Sequence, residues 1–354
     1  MFSYFKKLFG SSQKHTELEG LAFVDQNFKN LVGNKQVPGL AAAIWHDGSK
    51  VLEKGYGYAN LETSFRVNPK TTLFRIASIS KCITGLVFGK MVEEGLLDWE
   101  DSIYQYVPEY PNKKHDFNLL QLASHTAGIR AYRGKEYALN KPYSIQDSIE
   151  IFKEDPLLYT PGEGYLYSSL DFVLLSLAME RASGISFWEY ARNKVLLPLG
   201  MTNTVPPLEK VLETRSNFNL ASFYTPTKKG FKLATTVDNN YKLAGGGYLS
   251  TVEDIAKLGL EILEQRLLKK TTYQMLLQSR VVKGKPSYYG VGFQVSQDNQ
   301  GYSFVGHVGN SVGAYTNFFV YPSKRLVFSM VTNCNNSNIQ EELDASIAAL
   351  LRKF

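Results

Sequence analysis

The sequence predicts an α+β fold in which terminal helices cover one antiparallel sheet and a mainly helical region lies against its other face. An early pair of strands, at residues 39–58, is far in the chain from a second group of strands at residues 289–332. Neither group can bury an apolar face alone, so the economical arrangement joins them in one sheet. The helical middle, residues 96–243, then forms a cleft where it meets the sheet.

The predicted helices share apolar residues that recur every three or four positions. They cover residues 18–31, 79–91, 251–263 and 338–351. Gly95 ends the second helix, because glycine readily adopts the left-handed conformation that closes a helix.

The predicted strands share runs of β-branched, aromatic and other apolar residues between turn signals. They cover residues 39–45, 50–58, 289–295, 302–306, 314–321 and 325–332. Asp47 and Gly48 form the turn between the first two, and Pro322 begins the turn between the last two. Residues 1–17 are predicted as a tail and residues 18–354 as one domain. Its sheet region covers residues 18–77 and 245–354, and its helical region covers residues 78–244.

Composition indicates a globular protein, with 44% hydrophobic and 20% charged residues over 354 positions. The net charge of +6 is spread along the chain without a dense basic block, so we expect no nucleic-acid partner. Cys82 lies in an apolar helical run, where a buried thiol is usual, although a disulfide with Cys334 stays open. The histidines and cysteines show no zinc-binding spacing, and we expect no metal and no organic cofactor.

The N-terminus lacks the features of an export signal, because lysines interrupt its apolar residues. The sequence therefore predicts a cytoplasmic protein. Phe2, Phe5, Leu8 and Phe9 share one helical face, and two interpretations of residues 1–14 stay open. The segment is either a weak membrane-surface anchor or a tail that frays or packs on the body.

Ser78 and Lys81 form the strongest catalytic candidate. A serine hydroxyl needs a base within hydrogen-bond reach, and residues three apart on a helix share one face. The Ser-x-x-Lys pattern begins at Ser3, Ser11 and Ser78. Only Ser78 opens an apolar helix, where burial lowers the pKa of a lysine. The sequence therefore predicts Ser78 as the nucleophile and Lys81 as its base.

Five segments occur in the order of a known family. They are residues 74–81 (FRIASISK), 119–129 (LLQLASHTAGI), 161–169 (PGEGYLYSS), 197–201 (LPLGM) and 306–310 (GHVGN). The first resembles the nucleophile segment of class C β-lactamases and related penicillin-binding-protein-like esterases and peptidases. The others are similar to the family's LLxHTSG, PGxxFxYSN, PLGM and Lys-Thr-Gly or His-Thr-Gly segments. The resemblance implies a β-lactamase/transpeptidase-like fold.

The resemblance also implies roles for residues outside the Ser-x-x-Lys pair. Tyr167 corresponds to the tyrosine that relays the serine proton and is the third catalytic residue. The backbone amides of Ser78 and Asn310 correspond to the oxyanion hole. The implied oxyanion-hole and substrate-binding set is Ser78, Asn310, Ser169, His307 and Gly309.

Three positions depart from the family pattern. Ser169 stands where the family has Asn, His307 stands for Lys, and Val308 stands for Thr. A neutral histidine is a poor partner for the carboxylate of a β-lactam. These changes favour a carboxylester or peptide over a β-lactam. His125 is interpreted as a structural residue, and the glycines at 245–247 as a turn at the cleft edge.

We therefore expect a serine hydrolase that forms an acyl-enzyme on an ester or amide of a small molecule or peptide. A β-lactamase or D-Ala-D-Ala carboxypeptidase is the first alternative. A catalytically weak scaffold of the same fold is the second, which the changes at Ser169 and Val308 keep open. The sequence does not reveal the oligomeric state.

Overall fold

The computed structural model describes residues 18–208 and 219–354. Its strands in chain order are β1 (Gly39–His46), β2 (Ser49–Asn60), β3 (Phe65–Arg66), β4 (Thr72–Arg75), β5 (Asn219–Leu220), β6 (Tyr224–Thr227), β7 (Gly230–Leu233), β8 (Leu249–Ser250), β9 (Val281–Val282), β10 (Lys285–Pro286), β11 (Gln294–Gln297), β12 (Ser303–Ser311), β13 (Ala314–Tyr321) and β14 (Leu326–Thr332). Its α-helices are α1 (Gly20–Gly33), α2 (Ser80–Glu93), α3 (Leu119–Ala123), α4 (Ile145–Ser148), α5 (Ser169–Ser183), α6 (Phe187–Ala191), α7 (Val252–Glu264), α8 (Lys270–Leu277) and α9 (Gln340–Lys353).

A seven-stranded sheet joins the early and late strands in the order β11-β12-β13-β14-β1-β2-β3. All of its neighbouring strands are antiparallel. In β1, Leu40 lies opposite Tyr56 of β2 on one side and Thr332 of β14 on the other. The predicted α+β fold with one central antiparallel sheet is thus confirmed.

The two faces of the sheet bury different helices, because successive side chains of a strand point to opposite faces. Leu40, Ala42 and Ile44 face the terminal helices α1 and α9 and pack with Phe28 and Leu343. The side chains between them in β1 face the opposite side, where α2, α5 and α7 form the larger core. The active-site candidates lie at the edge of this second core.

Helix α2 lies deep in the second core, and 11 of its residues are buried. A helix that is surrounded by protein needs apolar or small residues on all its faces rather than on one stripe. Gly85 allows a close approach, since a Cβ atom there would lie 2.4 Å from the carbonyl oxygen of Val291. The depth of α2 decides the chemistry of Lys81 in its first turn.

Two predicted strand ranges are wrong in their bounds. Residues 289–293 are not part of a strand, and β11 begins at Gln294. The reason is that this segment passes between helices, where the amide of Val291 donates to Leu276 and the amide of Gly292 donates to Ala123. The predicted strand 302–306 continues to Ser311 because it pairs with β13 from Val305 to Ser311.

Cys82 and Cys334 are both buried free thiols. Among the described residues, no helix is both long and apolar enough to cross a membrane. Residues 1–14, which are predicted to be either a surface anchor or a tail, lie outside the described residues.

Candidate active site

Ser78 lies in a strained turn between a strand and a helix. β4 leads into a 3-10 turn at Ala77–Ile79, and α2 follows directly. Ala77 has a φ of 48°, in the left-handed region that residues with a side chain rarely adopt. The hydroxyl of Ser80 donates to the carbonyl of Ala77 at 2.7 Å. The hydroxyl of Thr316 donates to the carbonyl of Ile76, the preceding residue, at 3.2 Å. The turn exposes the side chain of Ser78 to a cleft.

Lys81 is fully buried one helical turn after Ser78. Its Nζ atom donates to Oγ of Ser78 at 3.3 Å, to Oγ of Ser169 at 3.0 Å and to the carbonyl of Gly245 at 2.5 Å. Burial lowers the pKa of Lys81 from 10.5 to about 7. Near neutral pH a large fraction of Lys81 is therefore an uncharged amine that can accept the proton of Ser78.

Tyr167 reaches Ser78 from the other side. Its hydroxyl donates to Oγ of Ser78 at 2.7 Å, and its ring centroid lies 4.8 Å from Nζ of Lys81. Desolvation raises the pKa of Tyr167, so the phenol stays protonated at neutral pH. The opposite shifts of the two groups are those that a base at Lys81 and a proton relay at Tyr167 require.

Ser169 begins α5 and is positioned by the preceding cap. The hydroxyl of Ser168 accepts from the amide of Leu170, which starts the helix at this point. Ser169 then lines the cleft and accepts the hydrogen bond from Lys81. A serine at this position thus retains the contact to the lysine that the resemblance assigns to an asparagine.

Strand β12 forms one wall of the cleft. A Cβ atom on Gly309 would lie 2.9 Å from Cβ of Ala77 and 2.2 Å from Oγ1 of Thr316, so only glycine fits beside the nucleophile turn. Asn310 follows and lines the same cleft as Ser78. β11 pairs only with the first half of β12, from Ser303 to Gly306. The second half therefore faces the site.

His307 and Val308 do not lie where the sequence places them. His307 is 1% exposed, and its ring nitrogens contact the hydroxyl of Tyr289 at 3.0 Å and the carbonyl of Val308 at 2.6 Å. Burial lowers its pKa to about 3, so it is neutral and lies behind the cleft rather than against a substrate. Val308 points to the opposite face and packs with the core under α1 and α9. A missing hydroxyl at Val308 therefore does not alter the Ser78 cleft.

A buried pair lies behind Tyr167, of which the sequence indicates only His125, as a structural residue, and not Asp171. Nδ1 of His125 lies 2.6 Å from Oδ2 of Asp171, and both side chains are fully buried. Burial raises the pKa of Asp171 and lowers that of His125, so the pair is neutral. The amide of Ser168 also donates to Nδ1, at 3.3 Å, which makes this nitrogen an acceptor and leaves the proton on Asp171.

The wall opposite β12 carries residues that the sequence analysis did not select. Lys242 is 7% exposed and donates to the carbonyl of Tyr137 at 2.7 Å. The only signal for Lys242 in the sequence is its place before the glycines at 245–247, of which Gly245 and Gly246 line the cleft. The cleft has a volume of about 70 Å³. It is lined by Ala77, Ser78, Tyr132, Tyr137, Ser169, Lys242, Gly245, Gly246, Asn310, Ser311 and Val312.

A family model described as beta-lactamase matches residues 24–353, nearly the whole chain. The chain belongs to the beta-lactamase family. Among curated relatives, it is 28% identical to the human "Serine beta-lactamase-like protein LACTB, mitochondrial", over 81% of this chain and 69% of that protein. It is 31% identical to "Protein flp" of Staphylococcus aureus strain N315, over 51% of this chain and 37% of that protein.

Two solved structures share the fold of this chain. The octameric penicillin-binding protein homologue from Pyrococcus abyssi has a TM-score of 0.81 and 25% identity, with 94% of this chain and 77% of that chain covered. The D-amino acid amidase from Ochrobactrum anthropi SV3 has a TM-score of 0.80 and 18% identity, with 94% and 99% covered. The second likeness shows the fold alone. Family and site together make this protein a β-lactamase-related serine hydrolase.

Proposed function

We propose that this protein hydrolyses an ester or amide through an acyl-enzyme on Ser78. The observation that carries the proposal is the position of the Ser78 hydroxyl, 2.7 Å from the Tyr167 hydroxyl and 3.3 Å from Nζ of Lys81. A lysine with a pKa of about 7 is a base at neutral pH, which an exposed lysine is not.

In acylation, Oγ of Ser78 bonds to the substrate carbonyl carbon, and its proton passes to Lys81, directly or through the Tyr167 hydroxyl. The carbonyl oxygen gains a negative charge, and the backbone amides of Ser78 and Asn310 are the donors that we propose for it. The bond to the leaving alcohol or amine then breaks. The leaving group takes a proton from Tyr167, which regains one from Lys81.

In deacylation, water attacks the acyl carbon and gives its proton to the neutral Lys81 through Tyr167. The carbon–oxygen bond to Ser78 breaks, and Oγ recovers a proton from the same relay, so the enzyme returns to its starting state. Ser169 keeps the amine of Lys81 aimed at the serine, since their hydrogen bond is 3.0 Å long. This cycle consumes one water molecule for each bond cleaved.

We propose an ester or peptide substrate rather than a β-lactam, because His307, which stands where the family has the first residue of its Lys-Thr-Gly segment, is neutral and buried behind the cleft. We include in the proposal a small-molecule or peptide substrate, no nucleic-acid partner and a cytoplasmic location. A weak membrane-surface contact through residues 1–14 remains a prediction.

The test is labelling by a fluorophosphonate probe, with a fluorescent penicillin in parallel. We expect the fluorophosphonate to label the wild type and Ser303→Ala, a control at an exposed serine of β12, but not Ser78→Ala. Circular dichroism and urea unfolding establish that Ser78→Ala is folded. Labelling by the penicillin together with turnover of nitrocefin would favour the β-lactamase alternative. Absence of labelling by both probes would overturn the proposal and favour the scaffold.

A further inference from the structure

Lys242 is a buried cation that lines the same cleft as the nucleophile. Its side chain is 7% exposed and lines the same cleft as Ser78 and Asn310. Its Nζ atom has one hydrogen bond, to the carbonyl of Tyr137. The ammonium group has three N–H donors, so the observed contact leaves donor capacity for a further partner.

No carboxylate within residues 18–208 and 219–354 forms a salt bridge with Lys242, although the more distant charge of Asp238 raises its pKa. Arg130, another buried cation, shows the usual arrangement, because Glu136 and Asp155 both pair with it. A buried charge without a counter-ion costs free energy unless a ligand supplies that counter-ion.

A second cation adds to the positive potential of this wall. The guanidinium of Arg75 lies 4.0 Å from the ring centroid of Phe223 and donates to the carbonyl of Val312, a cleft residue, at 2.6 Å. In the same described ranges Arg75 also forms no salt bridge. Burial, followed by the charge of Arg75, lowers the pKa of Lys242 to about 8, which leaves it mostly charged at neutral pH.

We propose that the substrate carries a carboxylate and that Lys242 binds this group while Ser78 attacks the scissile carbonyl. The inference rests on the proposed acyl-enzyme function and deepens it. An anion in a partly desolvated cleft gains most from a cation that is already buried, because little further desolvation of Lys242 is needed. Lys242 is then a specificity-determining residue on the wall opposite β12.

The test compares acidic esters with neutral counterparts of the same skeleton. One series carries the charge on the acyl part, in the mono-4-nitrophenyl esters of glutaric, adipic and pimelic acid, each against its methyl ester. The other carries it on the leaving group, in 3- and 4-acetoxybenzoic acid against their methyl esters. The readout is the ratio of kcat/KM for acid over neutral ester, corrected with Ser78→Ala for spontaneous hydrolysis.

We expect the wild type to favour the acid by about tenfold or more in at least one series, which corresponds to one good ionic contact. Lys242→Met should bring the ratio close to one, and Lys242→Arg should retain part of the preference. Lys270→Met, at an exposed lysine of α8, removes the same net charge and should keep the wild-type ratio.

Three other outcomes separate the hypotheses. Turnover of both acidic and neutral esters by the wild type without preference would overturn the role of Lys242 and leave the hydrolase proposal intact. An equal loss of both activities in Lys242→Met would assign Lys242 to holding the Tyr137 loop, and would also overturn it. If the wild type hydrolyses none of the esters, the proposed function itself fails.

Discussion

The Nδ1 atom of His125 lies 2.6 Å from Oδ2 of Asp171, and the His125 ring centroid lies 4.5 Å from that of Tyr167. The backbone on both sides of Tyr167 is attached to this histidine. The amide of Leu166 donates to the His125 carbonyl at 3.0 Å, and the amide of Ser168 donates to its ring. His125 is thus a positioning residue for the tyrosine that reaches Ser78.

Replacing Asp171, the acid of this pair, tests whether its carboxyl group is charged. Because Asp171 is protonated, Asp171→Asn removes no negative charge from the surroundings of Lys81. We expect the pH at which kcat/KM is half-maximal to stay within about 0.3 units of wild type, measured with a 4-nitrophenyl ester. If Asp171 were ionised, losing its charge would lower the pKa of Lys81 and move the profile to lower pH. Such a move would contradict the neutral pair.

Removing the histidine tests the positioning role. His125→Leu deletes the acceptor for Ser168 and should lower kcat by about tenfold to a hundredfold, because a small displacement of Tyr167 disrupts its 2.7 Å contact with Ser78. KM should change less than kcat. A variant with normal kcat and only a lower free energy of unfolding would show that His125 serves stability alone.

The pH dependence of acylation follows from the pKa of Lys81. The amine must be neutral to accept the serine proton, and its pKa is about 7. We expect kcat/KM to rise with pH through an apparent pKa near 7 and then to level off. Stopped-flow measurement of the acylation burst gives this profile. An ascending limb near pH 10 would mean that Lys81 is an ordinary charged lysine and that the base is another group.

The same shift makes stability depend on pH. The folded state releases the Lys81 proton near pH 7, whereas the unfolded chain keeps it until about pH 10.5. Between these values the unfolded state binds more protons, so raising the pH stabilises the fold by about 1.4 kcal/mol per unit from this group.

Subtracting the free energy of unfolding of Lys81→Met from that of the wild type separates the contribution of Lys81 from those of other titrating groups. The free energy of unfolding of the wild type minus that of Lys81→Met should rise as pH increases from 7.5 to 9.5, as measured by urea unfolding. Below pH 7 the difference should be flat, because both states then hold the proton. A difference that stays flat across the whole range would exclude the depressed pKa.

Gly309 tests how closely β12 packs on the nucleophile turn. A Cβ atom there would lie 2.2 Å from Oγ1 of Thr316, so Gly309→Ala should displace the strand and cost about 1–3 kcal/mol of stability. It should also lower kcat with 4-nitrophenyl acetate. Gly33→Ala, at the end of α1 with no atom within 4 Å of the new Cβ, should leave both unchanged. Equal behaviour of the two variants would contradict the close packing.

Local patterns in the amino-acid sequence determined the fold class and selected Ser78 and Lys81 as catalytic candidates, whereas the role predicted for Tyr167 came from the family resemblance. Apolar periodicity predicted the long sheet strands and covering helices within a few residues, apart from residues 289–293 and the second half of β12. The apolar helix after Ser78 distinguished that serine from Ser3 and Ser11. Burial of Lys81 was predictable from the same helix, since Lys81 lies in the first turn of an apolar helical run.

Only the tertiary structure decided which side chains meet in the cleft. Alternation along β12 implies that His307 and Val308 face opposite sides of the sheet. The register with β13 and β11 decides which of the two cores each side chain enters. Lys242 enters the site because its loop folds over Ser78 from 164 positions away in sequence. Desolvation depends on such distant packing, so the neutral states of His307 and Asp171 follow from the folded structure rather than from their neighbours in the chain.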